Sequence, residues 1–258
     1  MDQSKLKELA VQLFDLQVFK FRESTGTNSP FYLDIDQFMS HPHIMSTVSD
    51  LLTEYMKLTM VDSKVHLCSV SYTALPVVSL VSVKTGKSIL PRKQVKTYGT
   101  KQQIEGKFST GDKCLIYANV VSCGTTVLQT AKALRAEGLV VTDAIAIVDS
   151  EMGGLKNTEQ NGIRMHSLFT LSFILKTLHE AHRIEERTVL GALKFSEATQ
   201  LDRQQNNDTK IAIPDDKNSV DTRTAHRPIF FIIGLWVSFH LIIFVWRAYS
   251  SYCSIDSL

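Results

Sequence analysis

A chain of 258 residues with 44% hydrophobic and 21% charged side chains can build one sizeable core plus an appendage, and is neither a disordered nor a fibrous composition. A formal charge of +2 leaves no dominant basic face, so no nucleic acid is expected as a partner. Cys68, Cys114, Cys123 and Cys253 lie far apart with no CxxC pair, which argues against a zinc site and a disulfide framework. Three of them sit in apolar runs, as buried reduced thiols of a cytosolic domain do.

The opening MDQSKLKELAVQLFDL carries acids and no long apolar core, so it does not read as a signal peptide. Leu6, Leu9, Ala10, Leu13 and Phe14 recur at helical spacing and predict an amphipathic first helix. KVHLCSV (64–70) predicts a strand, followed by a turn and the apolar stretch YTALPVVSLV; KSIL (87–90) predicts a short one. KCLIYANVV (113–121) is a strand that enters a glycine-containing turn, and TTVLQTAKALRAEG (125–138) is a helix stopped by Gly138. TDAIAIVD (142–149) and IRMHSLFTL (163–171) are further strands. Strand–helix alternation with continuously apolar strands predicts an α/β fold with a parallel sheet covered on both faces.

Ligands of such sheets bind at the C-terminal strand ends, near a topological switch point. SCGTT (122–126) offers hydroxyls, a glycine and a helix N-terminus, which together suit a phosphate; many strand-to-helix turns share that composition. A bulky residue at Gly124 is expected to fill the phosphate position. A second polar island, PRKQVKTYGTKQQIEGK (91–107), reads either as a solvated hairpin or as a mobile basic loop that closes over a polyanion.

The C-terminal part changes character. Residues 1–199 form the predicted globular domain, and 200–227 is a polar stretch that reads as a flexible linker. Residues 228–246, PIFFIIGLWVSFHLIIFVW, contain no Asp, Glu, Lys or Arg. As a helix at about 1.5 Å per residue this run measures roughly 28 Å, which suits a bilayer core of about 30 Å. Trp246 and Arg247 are interfacial anchor types, and the basic flank before the span favours a globular domain on the cytosolic side. The remaining 247–258 is a short tail, so the expectation is a tail-anchored membrane protein.

The two polar islands, in this order and spacing, resemble orotate phosphoribosyltransferase, as found in the N-terminal half of animal uridine monophosphate synthase. RKQVKTYGTKQQIEG is similar to that family's catalytic loop, VSYTALP (70–76) to its pyrophosphate turn, and CLIYANVVSCGTT (114–126) to its phosphoribosyl-diphosphate motif. LFDLQVFKF (13–21), SPFYLDI (29–35), EGLVVTDAIAIVDSEMGG (137–154) and NGIRMHSLFTLSFIL (161–175) extend the likeness to roughly residues 6–195. The resemblance implies a type I phosphoribosyltransferase fold with a small N-terminal hood, a homodimer, and transfer of ribose 5-phosphate from phosphoribosyl diphosphate to orotate with Mg2+, in pyrimidine (UMP) biosynthesis. It assigns Arg92, Lys93 and Lys96 to the catalytic loop and Tyr72 to the pyrophosphate turn. Gly124, Thr125 and Thr126 become the 5′-phosphate cradle, Ser122 a hydroxyl near the base, and Phe31 and Tyr32 the border of orotate.

The departures fall on charged positions. The family's acid pair is Ala118 and Asn119, its orotate-binding arginine is Ser150, a loop aspartate is Thr97, and an N-terminal lysine is missing from RESTGTN (22–28). The pyrophosphate-turn glycine corresponds to Ser69, whose side chain is expected to restrict the backbone. Removing one preorganised contact to a developing charge costs about 3–4 kcal/mol, or 10²–10³ in rate. Two functions follow: a membrane-tethered, catalytically impaired pseudoenzyme that binds phosphoribosyl diphosphate, a nucleotide monophosphate or a protein partner, without a metal; or an active orotate phosphoribosyltransferase that uses Mg2+.

Overall fold

The computed structural model describes residues 2–22, 29–59, 65–92 and 103–211. Its centre is a four-stranded parallel sheet of β3 (Val65–Ser69), β4 (Lys113–Val121), β5 (Val140–Asp149) and β6 (Arg164–Thr170), side by side in chain order. A separate antiparallel pair, β1 (Phe19–Phe21) and β2 (Phe31–Leu33), comes from the N-terminal segment where a hood is expected.

Alternation along β4 divides the core. Leu115 and Tyr117 face a layer with Leu67, Ile145, and α1 (Gln3–Asp15), α2 (Pro42–Thr59) and α3 (Leu75–Thr85). Ile116 and Ala118 face the opposite layer, where Val127, Ala131 and Leu134 of α4 (Thr125–Ala136) close over Ala144 and Ala146. α1 follows the predicted stripe: Leu6, Leu9, Ala10 and Leu13 are buried, and Asp2 caps it by accepting the Ser4 N–H at 2.9 Å. Each such leucine contributes roughly 2 kcal/mol of transfer free energy. α4 ends as its sequence predicts, with Gly138 at φ 84° beyond the last turn.

The chain leaves β3 in one direction and β4 in the other. After α3 it returns along the edge of β3 away from β4, where Leu67 donates to Ser88 O at 2.9 Å and accepts from Leu90 N at 2.8 Å. After β4 it crosses through α4 to β5 on the other side. This reversal places the switch point, and with it the natural crevice, between the C-terminal ends of β3 and β4.

Three expectations need correction. The segment 87–90 forms an isolated bridge between Ile89 and Leu67, not a strand of the sheet. Ser69 closes β3 in regular pairing with Tyr117 and has no positive φ, so serine costs the backbone nothing there. The stretch read as linker begins as helix: α7 runs Glu186–Ile211, continuous with the compact unit Met1–Ile213. Gln, Asn and Asp after position 200 lack the apolar periodicity of a core helix, although several of them are tolerated in helices. Among the described residues no helix is long and apolar enough to cross a membrane; the predicted span at 228–246 lies outside them.

Candidate active site

The crevice is a cleft of about 380 Å³ lined by Val70 and Ser71 after β3 and by the continuous run from Ala118 to Val127. The run from Ser122 to Thr126 therefore sits where the sequence places it, and Ala118 and Asn119 share the cleft with it. Gly124 is the residue before α4 and adopts φ 78°, a left-handed conformation that glycine accepts without strain. The first N–H groups of α4 have no partners within their own helix and carry the positive end of its dipole.

Two glycines fix the turn from behind. A Cβ on Gly154, the first residue of α5 (Gly154–Gln160), would stand 2.6 Å from Val121 Cγ1 and 2.7 Å from Ser122 O. A Cβ on Gly124 would meet Thr158 Cγ2 at 3.0 Å and Gly154 O at 3.1 Å. Substitution of Gly124 therefore strikes α5, not the phosphate position, which corrects the expectation for that residue. Asn157 Nδ2 donates to Cys123 O at 2.7 Å and ties the turn to the same helix.

The adjoining wall, residues 150–153, is held by side chains. Ser150 is buried and its Oγ donates to Val121 O at 3.0 Å, so it faces the β4 backbone. Glu151 takes φ 54°, and its carboxylate accepts from Ser172 N at 2.6 Å and Ser172 Oγ at 3.0 Å, at the start of α6 (Leu171–Glu180). Ser196 Oγ lies 3.0 Å from Ser150 O and 2.8 Å from Glu151 O, and Arg203 Nη1 donates to Met152 O at 3.0 Å. Sequence reasoning missed Gly154, Asn157, Ser196 and Arg203. The glycine pair after β5 and the i, i+7 spacing of Ser196 and Arg203 are the signals that point to them.

Burial pushes the Asp149 carboxyl up, the Glu151 N–H at 2.9 Å lowers it and the Glu151 charge raises it, with a net rise. Burial also pushes the Cys123 thiol up, but its bonds with Thr125, the positive charge of Arg203 and a bond with Ser122 outweigh that and lower it. None of the residues lining the cleft carries a carboxylate, and among the described residues no three His, Cys, Asp or Glu side chains cluster as a metal site. The described residues lining the cleft thus offer magnesium no carboxylate, and a magnesium ion there would depend on phosphate oxygens of a ligand.

The other predicted residues are scattered. Tyr72 is exposed in a short 3-10 turn next to Ser71. Arg92 Nη1 donates to Thr130 Oγ1 at 2.8 Å, one turn along α4 from Thr126, at the base of the loop where Glu105 N bonds Pro91 O. Lys93, Lys96 and Thr97 lie outside the described residues. Phe31 is a core residue, edge-on to Phe195 with ring centres 6.1 Å apart, and does not line the cleft. Tyr32 points outward on the next strand position, with Lys20 Nζ 5.9 Å from its ring centre. Aromatic side chains on a short strand pair serve as core or as site walls alike, so their type did not separate the two.

No family model matches the chain. The uridine 5′-monophosphate synthase of Bos taurus is 40% identical to it over 194 residues, covering 74% of this chain and 40% of that protein. The orotate phosphoribosyltransferase of Chlamydia caviae is 31% identical over 192 residues, covering 72% of this chain and 92% of that protein. Among solved structures, orotate phosphoribosyltransferase from Aeropyrum pernix superposes with a TM-score of 0.58 at 26% identity, covering 67% of this chain and 98% of that one. The UMP synthase of Leishmania donovani gives a TM-score of 0.64 at 25% identity and 74% coverage of this chain. The chain thus spans about 40% of the length of the synthases it matches, and most of the length of the shorter enzymes.

Proposed function

This chain belongs to the orotate phosphoribosyltransferase family, and on that premise we propose that its cleft binds a phosphoribosyl ligand of pyrimidine nucleotide synthesis, with orotate transfer strongly impaired. The observation that carries this reading is the cleft itself, which has a glycine turn at a helix N-terminus and, among the described residues, no charged side chain on its lining. Backbone N–H groups bind the 5′-phosphate of phosphoribosyl diphosphate or a nucleotide monophosphate whatever the neighbouring side chains are. Developing charge on ribose and pyrophosphate, in contrast, needs fixed counter-charges, which Ala118, Asn119 and Ser150 do not supply. A turnover assay of the full chain with orotate, phosphoribosyl diphosphate and magnesium is expected to run at least about a thousandfold below a family enzyme. A turnover number in the usual range of roughly 1–10³ s⁻¹ refutes impairment.

A second reading, active synthesis of orotidine 5′-phosphate with Mg2+, is favoured by the 40% identity to a uridine 5′-monophosphate synthase and by the basic series Arg92, Lys93 and Lys96. In that reading Lys93 and Lys96 neutralise the leaving pyrophosphate and ligand phosphates hold the metal. The same assay separates the two.

Family membership also supports a homodimer. The uncharged run 228–246 supports a membrane tether with the α/β unit on the cytosolic side. Full-length protein is then expected to resist extraction by salt and alkali, and a chain ending after Ile213 to be soluble. Recovery of the full chain without detergent excludes the tether.

A further inference from the structure

We propose that Ser88, His66 and Asp112 form a second, nucleophilic site, in which Ser88 takes the acyl group of small activated carboxylic esters. His66 is the second residue of β3, and Asp112 immediately precedes β4. Ser88 lies on the segment that returns along the edge of β3 away from β4. The three are therefore near the N-terminal ends of the strands, at the opposite end of the sheet from the cleft. His66 Nδ1 is 2.5 Å from Ser88 Oγ, and His66 Nε2 is 3.2 Å from Asp112 Oδ2. Backbone contacts fix both flanks of the ring. Leu67 N donates to Ser88 O at 2.9 Å, which ties the segment carrying Ser88 to the strand carrying His66. Ser109 N donates to Asp112 Oδ2 at 2.7 Å and orients the carboxylate.

A carboxylate only accepts hydrogen bonds, so the neutral ring carries its proton on Nε2 and leaves the Nδ1 lone pair to the Ser88 O–H. A hydroxyl held by a base, with the base held by a third group, is the arrangement that activates a serine. Ser88 is exposed and the His66 side chain is 18% exposed, so a small ester reaches the hydroxyl while the ring stays largely enclosed. Asp112 is 41% exposed, so water screens its charge and its main effect is to position the ring. In the reaction Ser88 Oγ bonds the carbonyl carbon as its proton passes to His66 Nδ1. The imidazolium returns that proton to the departing alcohol oxygen, leaving an acyl-Ser88. Water entering by the same route releases the carboxylic acid and restores Ser88, so ester and water become acid and alcohol. General-base assistance contributes about 10²–10⁴ in rate. That suits acylation by an ester with a good leaving group, not cleavage of an amide.

The test treats the full chain in detergent with p-nitrophenyl acetate and, separately, with an alkyl fluorophosphonate, which loses fluoride as an activated serine oxygen bonds its phosphorus. Peptide mass spectrometry locates the adducts, which separates Ser88 from thiols and lysines that also take acetyl groups. The wild type is expected to carry both adducts at Ser88. Ser88→Ala, a small change at an exposed position, should remove them. His66→Gln keeps hydrogen-bonding groups beside Ser88 and Asp112 but no base, and should slow labelling of Ser88 about 10²-fold or more. Asp112→Ala should slow it less, about two- to fivefold, with partial recovery in Asp112→Glu. A structural role for His66 alone would shift unfolding midpoints without placing any adduct on Ser88. Absence of an adduct at Ser88 in the wild type, or equal labelling rates in wild type and His66→Gln, overturns the proposal.

Discussion

The two ends of β5 carry an aspartate each, and their surroundings are opposite. Near its start Asp143 receives Arg164 Nε at 3.0 Å, His166 Nε2 at 3.1 Å and Thr142 Oγ1 at 2.8 Å, and these contacts overcome burial and lower its carboxyl. At its end Asp149 is buried, accepts the Glu151 N–H and has no cation beside it among the described residues, and burial raises its carboxyl. The first end is remote from the cleft and keeps its charges paired. The second adjoins the cleft beside Val121, with Ala118 and Asn119 on the cleft lining and Ser150 bonded to Val121 O. Charge is paired near the start of β5, while the described lining of the cleft carries no charged side chain and its turn is built by backbone.

The largest expected effect concerns that backbone. Gly154→Ala places a methyl 2.6 Å from Val121 Cγ1 and 2.7 Å from Ser122 O, so the turn or α5 has to shift. Overpacking of this kind costs typically 1–3 kcal/mol, and contact with a backbone oxygen puts it at about 3 kcal/mol or more. Denaturant unfolding and loss of ligand binding measure it; a variant as stable as wild type, with binding kept, breaks the claim that the turn is built from behind.

A smaller pair of effects sharpens the comparison along β5. Asp143 is lowered, so its stabilisation is present above the unfolded carboxylate pKa and is lost as pH falls through the folded value. Asp143→Asn removes charge-assisted bonds and should cost about 1.5–3 kcal/mol at neutral pH, less in acid. Asp149 is raised, so the native state holds its proton longer and stability falls as pH rises from the unfolded value through the folded one. Asp149→Asn keeps an acceptor for the Glu151 N–H, and should gain on the wild type across that window by a smaller amount. Unfolding midpoints between pH 3 and pH 8 should diverge in opposite directions for the two variants. Parallel curves contradict the contrast.

Sequence made the sheet, α4 and the turn legible because continuous aliphatic strands and a Gly–Thr–Thr helix start leave few alternatives. α7 beyond position 200 was hidden because a polar helix and a polar linker share a composition, and the contact of Arg203 with Met152 O leaves no trace in the sequence pattern. The core position of Phe31 was not legible because an aromatic on a short strand fits a core as well as a site. The packing of Gly154 and Gly124 against each other was not legible either, since close approach between distant segments leaves no periodic trace.

A phosphate site made by backbone should hold its ligand without help from a metal. Calorimetry of the full chain with a nucleotide monophosphate, in magnesium and then in EDTA, tests it most directly. Weak binding of equal strength in both is the predicted result, because Ala118 and Asn119 offer the metal no carboxylate. Affinity that collapses in EDTA, or no binding in either buffer, contradicts it.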